Sequence, residues 1–167
     1  MRFFLFICAF LVMGAATSDA KPVCYGALEA EAEQGIRIHS ELMVIGLNCS
    51  HMSDANGNNL YGEHRKFTNK HTKLFETYEK IVMDFMRKHG TKDTEAAMHA
   101  LRTKFANKIS NDVAQMRPDI FCRTYSSRIE KAAKMNEKQI RIWAATPYAA
   151  HPVSKPLCVT DKTAEKE

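Results

Sequence analysis

Between Leu60 and Phe85, core-type side chains recur at alternating steps of four and three: Leu60, His64, Phe67, His71, Leu74, Tyr78, Ile81 and Phe85. A 3.5-residue period keeps them on one face of a helix, and that face must be covered by other helices. Three more stretches carry the same signature. The first runs from about Ala27 to Leu47, with Leu28, Ala32, Ile36, His39, Leu42, Met43 and Leu47 on one side. The third covers about Thr94 to Met116 through Met98, Leu101, Phe105, Ile109, Val113 and Met116. The fourth opens at Pro118, which suits a first helical turn, and uses Phe121, Tyr125, Ile129, Ala132, Ala133, Ile140 and Trp143. Asn56-Gly57 marks a turn between the first two segments. Gly90 suits a C-terminal cap for the second, and Thr91 or Asp93 can begin the third. The expected fold is all-α: an up-down-up-down four-helix bundle with a proline-rich tail through Pro147, Pro152 and Pro156.

The start of the chain has a different character. Arg2 precedes the apolar run "FFLFICAFLVMGAA", and "SDA" then supplies small residues at a peptidase site. This pattern predicts a signal peptide over 1–20, cleaved after Ala20. The run is shorter than the roughly 20 residues that span a bilayer. Cleavage leaves 167 − 20 = 147 residues, enough for one domain with its own core. The expected organisation is a helical domain with its tail over 21–158 and a disordered C-terminus over 159–167. After signal cleavage the protein is expected not to be integral to a membrane, and its location is exported, periplasmic or secreted.

Cys8 leaves with the signal, so Cys24, Cys49, Cys122 and Cys158 remain. An even number in an exported chain implies two disulfides, and the wide spacing disfavours a zinc ribbon or a redox pair. Cys24 and Cys49 flank a helix of about 21 residues, roughly 30 Å long, so they cannot bond each other. In the up-down-up-down arrangement Cys49 and the first turn of the fourth helix share one end of the bundle. Cys158 lies beyond the other end, with Cys24. The pairing expected is Cys49–Cys122 and Cys24–Cys158.

The net charge is +5, with basic and acidic residues interleaved and no aromatic–basic clustering. That excludes an obvious nucleic-acid surface and leaves an envelope protein or an anionic envelope component as the expected partner.

The stretches "HSELMVIGLNCS" (His39 to Ser50), "ALRTKFANKIS" (Ala100 to Ser110) and "PDIFC" (Pro118 to Cys122) resemble small exported helical proteins of Gram-negative bacteria. The likeness is to alphaproteobacterial ones in particular, in which a first helix ends in a cysteine and "FC" opens the last. It spans about the central two-thirds of the mature chain. It implies a periplasmic location and is consistent with the cysteine pairing, and it carries over no activity and no site residue.

Motifs for catalysis are missing: there is no CxxCH, HExxH, paired ExxH, GxSxG or phosphate-cradling glycine loop. The remaining chemistry lies in histidines at seam positions. Antiparallel bookkeeping puts His39 within about 3 Å of His71 along the bundle axis, with Asp112 and Tyr125 near that level and His64 one or two turns away. His39, His71, His64 and Asp112 are therefore the candidate metal set, for a transition metal or, with methionine, haem. The simpler reading makes them core histidines bonded to a tyrosine or carboxylate, with no cofactor. On this reading the chain is a non-enzymatic exported bundle, a binding or structural component of the envelope. The alternative is a metal- or haem-binding bundle.

Overall fold

The computed structural model describes residues 23–158. The predicted signal peptide (1–20) and disordered C-terminus (159–167) lie outside the described residues. Seven helices follow one another: α1 (Ala27–Asn48), α2 (Leu60–Lys70), α3 (Thr72–Lys88), α4 (Thr94–Gln115), α5 (Pro118–Tyr125), α6 (Ser127–Ala133) and α7 (Glu137–Ala145). Among the described residues β-structure is limited to two isolated bridges, Tyr25 with Leu157 and Ser53 with Asn59. The chain is all-α and holds two disulfides.

Two of the four periodic segments are interrupted. The Leu60–His89 segment breaks at His71, which caps the end of α2 and the start of α3 with φ −115° and ψ 18°. The seam survives because only one residue leaves the helical path: Leu60, His64, Phe67, His71, Leu74, Tyr78 and Phe85 are all buried. The Pro118–Ala145 segment breaks at Ser126 and again before Asn136. There the Asn136 side chain accepts from the Gln139 N–H while the Gln139 side chain accepts from the Asn136 N–H, a capping box that starts α7. Periodicity alone reads through such breaks, since the face stays in phase across them. The end of α3 is sharper. Gly90, at φ +88°, lets its own N–H bond the Arg87 carbonyl and the Thr91 N–H bond the Met86 carbonyl, a Schellman closure.

α1 occupies the centre and touches each of the other six helices. That corrects the single apolar stripe expected for it. Leu28 and Leu47 are about half exposed and Met43 is 39% exposed, whereas Glu33, Gln34, Arg37, Ser40 and Glu41 are buried. A helix surrounded on all sides buries polar residues too, provided each finds a partner. Ile38, Leu42 and Ile45 of α1 are fully buried, as are Leu60, Tyr78 and Phe121 from other helices. Each contributes about 1.5–3 kcal/mol through burial.

The disulfides sit at opposite ends of α1. Cys49–Cys122, with Cα atoms 5.6 Å apart, joins the end of α1 to α5 and is fully buried. Cys24–Cys158, at 5.0 Å, ties the tail to the residues that precede α1. Beside it the Tyr25 N–H donates to the Pro156 carbonyl and the Cys158 N–H donates to the Tyr25 carbonyl. No helix among the described residues is long and apolar enough to cross a membrane.

Candidate functional site

The proposed ligands do not meet at one point. His39 on α1 faces α2 at Thr68, three residues before His71. Its Nε2 lies 3.2 Å from Thr68 Oγ1, which lies 3.4 Å from His64 Nε2. One hydroxyl can donate to one ring and accept from the other. The His39 ring stacks on Phe75 at 4.4 Å between centroids and runs parallel to His64 at 5.9 Å. Burial pushes His39 down to about 4, with the Arg102 charge adding to it, and pushes His64 down to about 4, with His39 adding. Both are therefore neutral near pH 7. His64 Nδ1 is buried without a hydrogen-bond partner.

His71 and Asp112 are engaged elsewhere. His71 Nε2 lies 3.2 Å from the Met135 carbonyl at the turn between α6 and α7. Asp112 accepts a 2.8 Å bond from the Tyr125 hydroxyl. Tyr78, a candidate partner for a histidine, instead donates to Glu31 at 2.7 Å. Among the described residues no group of three or more His, Cys, Asp or Glu side chains is placed to hold a metal ion. The four side chains are turned to different partners: His39 and His64 to Thr68, His71 to the Met135 carbonyl and Asp112 to Tyr125.

A different constellation is assembled where the tail crosses α1. Glu33, 1% exposed, accepts from the Tyr25 hydroxyl at 2.7 Å, from the Ser154 N–H at 2.6 Å and from the Ser154 hydroxyl. At the next residue, the Gln34 amide donates to the His151 carbonyl at 2.6 Å and accepts from Arg37 Nε at 2.5 Å. Arg37 then pairs with Glu41 at 2.7 Å, both side chains 7% exposed. Arg128 of α6 approaches the other Glu41 oxygen at 3.4 Å and lies over the Tyr125 ring. His151 Nδ1 sits 3.5 Å from Glu41. Burial, then the Arg37 charge, hold the His151 pKa below its ordinary value. Lys108 of α4 donates to the Ala150 carbonyl at 2.7 Å. Each tail contact thus satisfies a buried polar group on α1 or a cation beside it.

The Arg37–Glu41 part of this network is the floor of a groove of about 810 Å³, lined by α6 and α7 and by the tail. α1 and α6 line it with Arg37, Glu41, Arg128 and Lys131. Met135, Gln139, Ile142, Trp143 and Tyr148 line the remainder. A second, more apolar groove of about 640 Å³ runs along the opposite side of the tail, beneath Pro147, Val153 and Leu157. These volumes fall in the range of about 300–1,000 Å³ typical of small-molecule sites.

The sequence does hold a sign of the floor. Glu33, Arg37 and Glu41 recur at four-residue steps, which places them in one line along α1. Such a line ordinarily reads as a solvated charged face, and only the tail's path buries it. Comparison with protein families, curated proteins and solved structures finds no match to this chain.

Proposed function

We propose that the chain is an exported, non-enzymatic binding protein of the cell envelope whose ligand site is the groove between α6–α7 and the tail. The observation that carries this reading is the buried line along α1, in which Arg37 and Glu41 make a charged floor while Glu33 and Gln34, outside the groove, fasten the tail. A charged floor beneath an open apolar wall is how binding sites combine orientation with affinity. The side chains on that floor are engaged in bonds to one another and to the tail, as a rigid receptor requires.

Two disulfides in a small helical domain favour an oxidising compartment, in keeping with the signal-like start of the chain. The periplasm of a Gram-negative cell is the location the sequence resemblance favours. In this proposal α2–α3 and α5–α7 are each one interrupted leg, so the helices form an up-down-up-down bundle with α1 drawn to the middle.

The test is native mass spectrometry of the protein recovered from a periplasmic extract, set against a Cys24→Ser/Cys158→Ser variant. A retained small molecule at one equivalent, reduced in the variant with the loosened tail, is the expected result. A protein that carries nothing, and takes up nothing from an envelope extract, would defeat the proposal.

A further inference from the structure

We infer that the α6–α7 groove takes a single-chain amphiphile with an anionic carboxylate head, its head at Arg128 and Lys131 and its chain along Met135, Ile142 and Trp143. This rests on the groove being the ligand site and adds the class of ligand.

The charge balance argues for the head group. Three cations, Arg37, Arg128 and Lys131, line the groove against one carboxylate, Glu41. Arg37 holds Glu41 at 2.7 Å and is itself buried, so that pair is closed. Arg128 reaches Glu41 only at 3.4 Å, with its side chain 38% exposed. Lys131, one turn further along α6, is exposed on the rim. One guanidinium and one ammonium therefore remain able to exchange water or a long contact for an incoming carboxylate, and charge-assisted bonds to such a group are the stronger kind.

The apolar wall argues for the chain. Ile142 is 58% exposed and Tyr148 45% exposed, side by side with the half-buried Trp143 on the groove lining. A bound alkyl chain would remove this surface from water. The wall begins at Met135, one turn beyond Lys131, and continues away from the cations. The α6 part of the lining carries the free cations, whereas the α7 part carries no charge and has only Gln139 and Thr146 as polar members, which suits a ligand with one charged end. A small inorganic anion would leave the wall unused, and a neutral lipid would leave the cations unmatched.

The chain contains a single tryptophan, Trp143, and it lines this groove, so its fluorescence reports occupancy directly. The experiment titrates the folded, disulfide-intact protein with dodecanoate, dodecanol, acetate and inorganic phosphate, all below micelle-forming concentrations. Dodecanoate should give a saturable change at one equivalent, about tenfold tighter than dodecanol, with acetate and phosphate far weaker. Arg128→Gln/Lys131→Gln, both at accessible positions, should weaken dodecanoate about tenfold and erase its advantage over dodecanol. Ile142→Ser should weaken acid and alcohol alike. Equal binding of acid and alcohol to the parent protein would overturn the inference, as would phosphate binding as tightly as dodecanoate or no saturable response. If the protein recovered from the envelope carries a neutral or cationic small molecule, the binding role stands and this ligand class falls.

Discussion

The Tyr78 ring lies against the bare backbone of Gly35. A β-carbon placed on Gly35 would collide with Tyr78 Cε2 and Cδ2, so only glycine lets α1 and α3 approach this closely. Tyr78 is fully buried, and its hydroxyl reaches Glu31 one turn before Gly35. Gly35→Ala should therefore lower stability by about 1–3 kcal/mol despite the better helix propensity of alanine. Gly46, where the same β-carbon would sit 3.3 Å from His64 Cβ, should tolerate alanine with a smaller loss. Urea unfolding of the two variants checks the difference.

His39 and His64 make the fold sensitive to acid. Each is pushed down to about 4 in the folded protein, while an unfolded histidine titrates near 6.5. Between those values the unfolded chain binds more protons than the folded one. Stability should thus be flat above about pH 6.5 and fall as the pH drops toward 4, by up to about 1.4 kcal/mol per pH unit for each histidine. Replacing both with glutamine should flatten this slope. Unfolding midpoints measured from pH 7.5 down to pH 4.5 provide the test.

How far these features were legible beforehand differs from one to the next. The seam from Leu60 to Phe85 needs only spacing, and it was readable. So was the presence of two disulfides, from four cysteines in an exported-looking chain. The breaks at His71, Ser126 and Asn136 were not, because a helix that restarts in phase preserves the pattern by which it is recognised. The partners of the histidines were not legible for another reason. Spacing ranks residues by level, but it does not show that Thr68, the Met135 carbonyl and Tyr125 are the groups that His39, His71 and Asp112 meet. The burial of the charged line on α1 was not legible because what covers it, the segment around His151 and Ser154, has no periodicity of its own.

Glu33 should be the most costly single carboxylate to remove. Glu33→Ala leaves the buried Tyr25 hydroxyl and the Ser154 N–H without their acceptor. A loss of about 2–4 kcal/mol is expected. Amide exchange should also quicken at Ser154 and Cys158, where the tail is held, and remain slow in α4. Hydrogen exchange resolved by residue separates this local release from a general loss of stability.

The two disulfides should differ in their response to a thiol. Cys49 and Cys122 are wholly buried, whereas Cys158 is exposed and Cys24 partly so. Mild reductant under native conditions should open Cys24–Cys158 first, and alkylation followed by mass spectrometry should find the label on those two residues alone. Simultaneous labelling of all four would contradict the expectation.

The long reach of Cys24–Cys158, 134 residues in sequence, also bears on how the molecule is made. A polypeptide emerges N-terminus first, so Cys24 and Cys49 are exposed to oxidation before either rightful partner exists. The 22 residues of α1 between them act as a spacer: once coiled, they hold the two thiols about 30 Å apart and forbid the premature bond. Cys122 comes next and finds Cys49, while Cys24 must wait until nearly the whole domain has been delivered. Of the two bonds, the one that ties the tail is therefore the later to become possible.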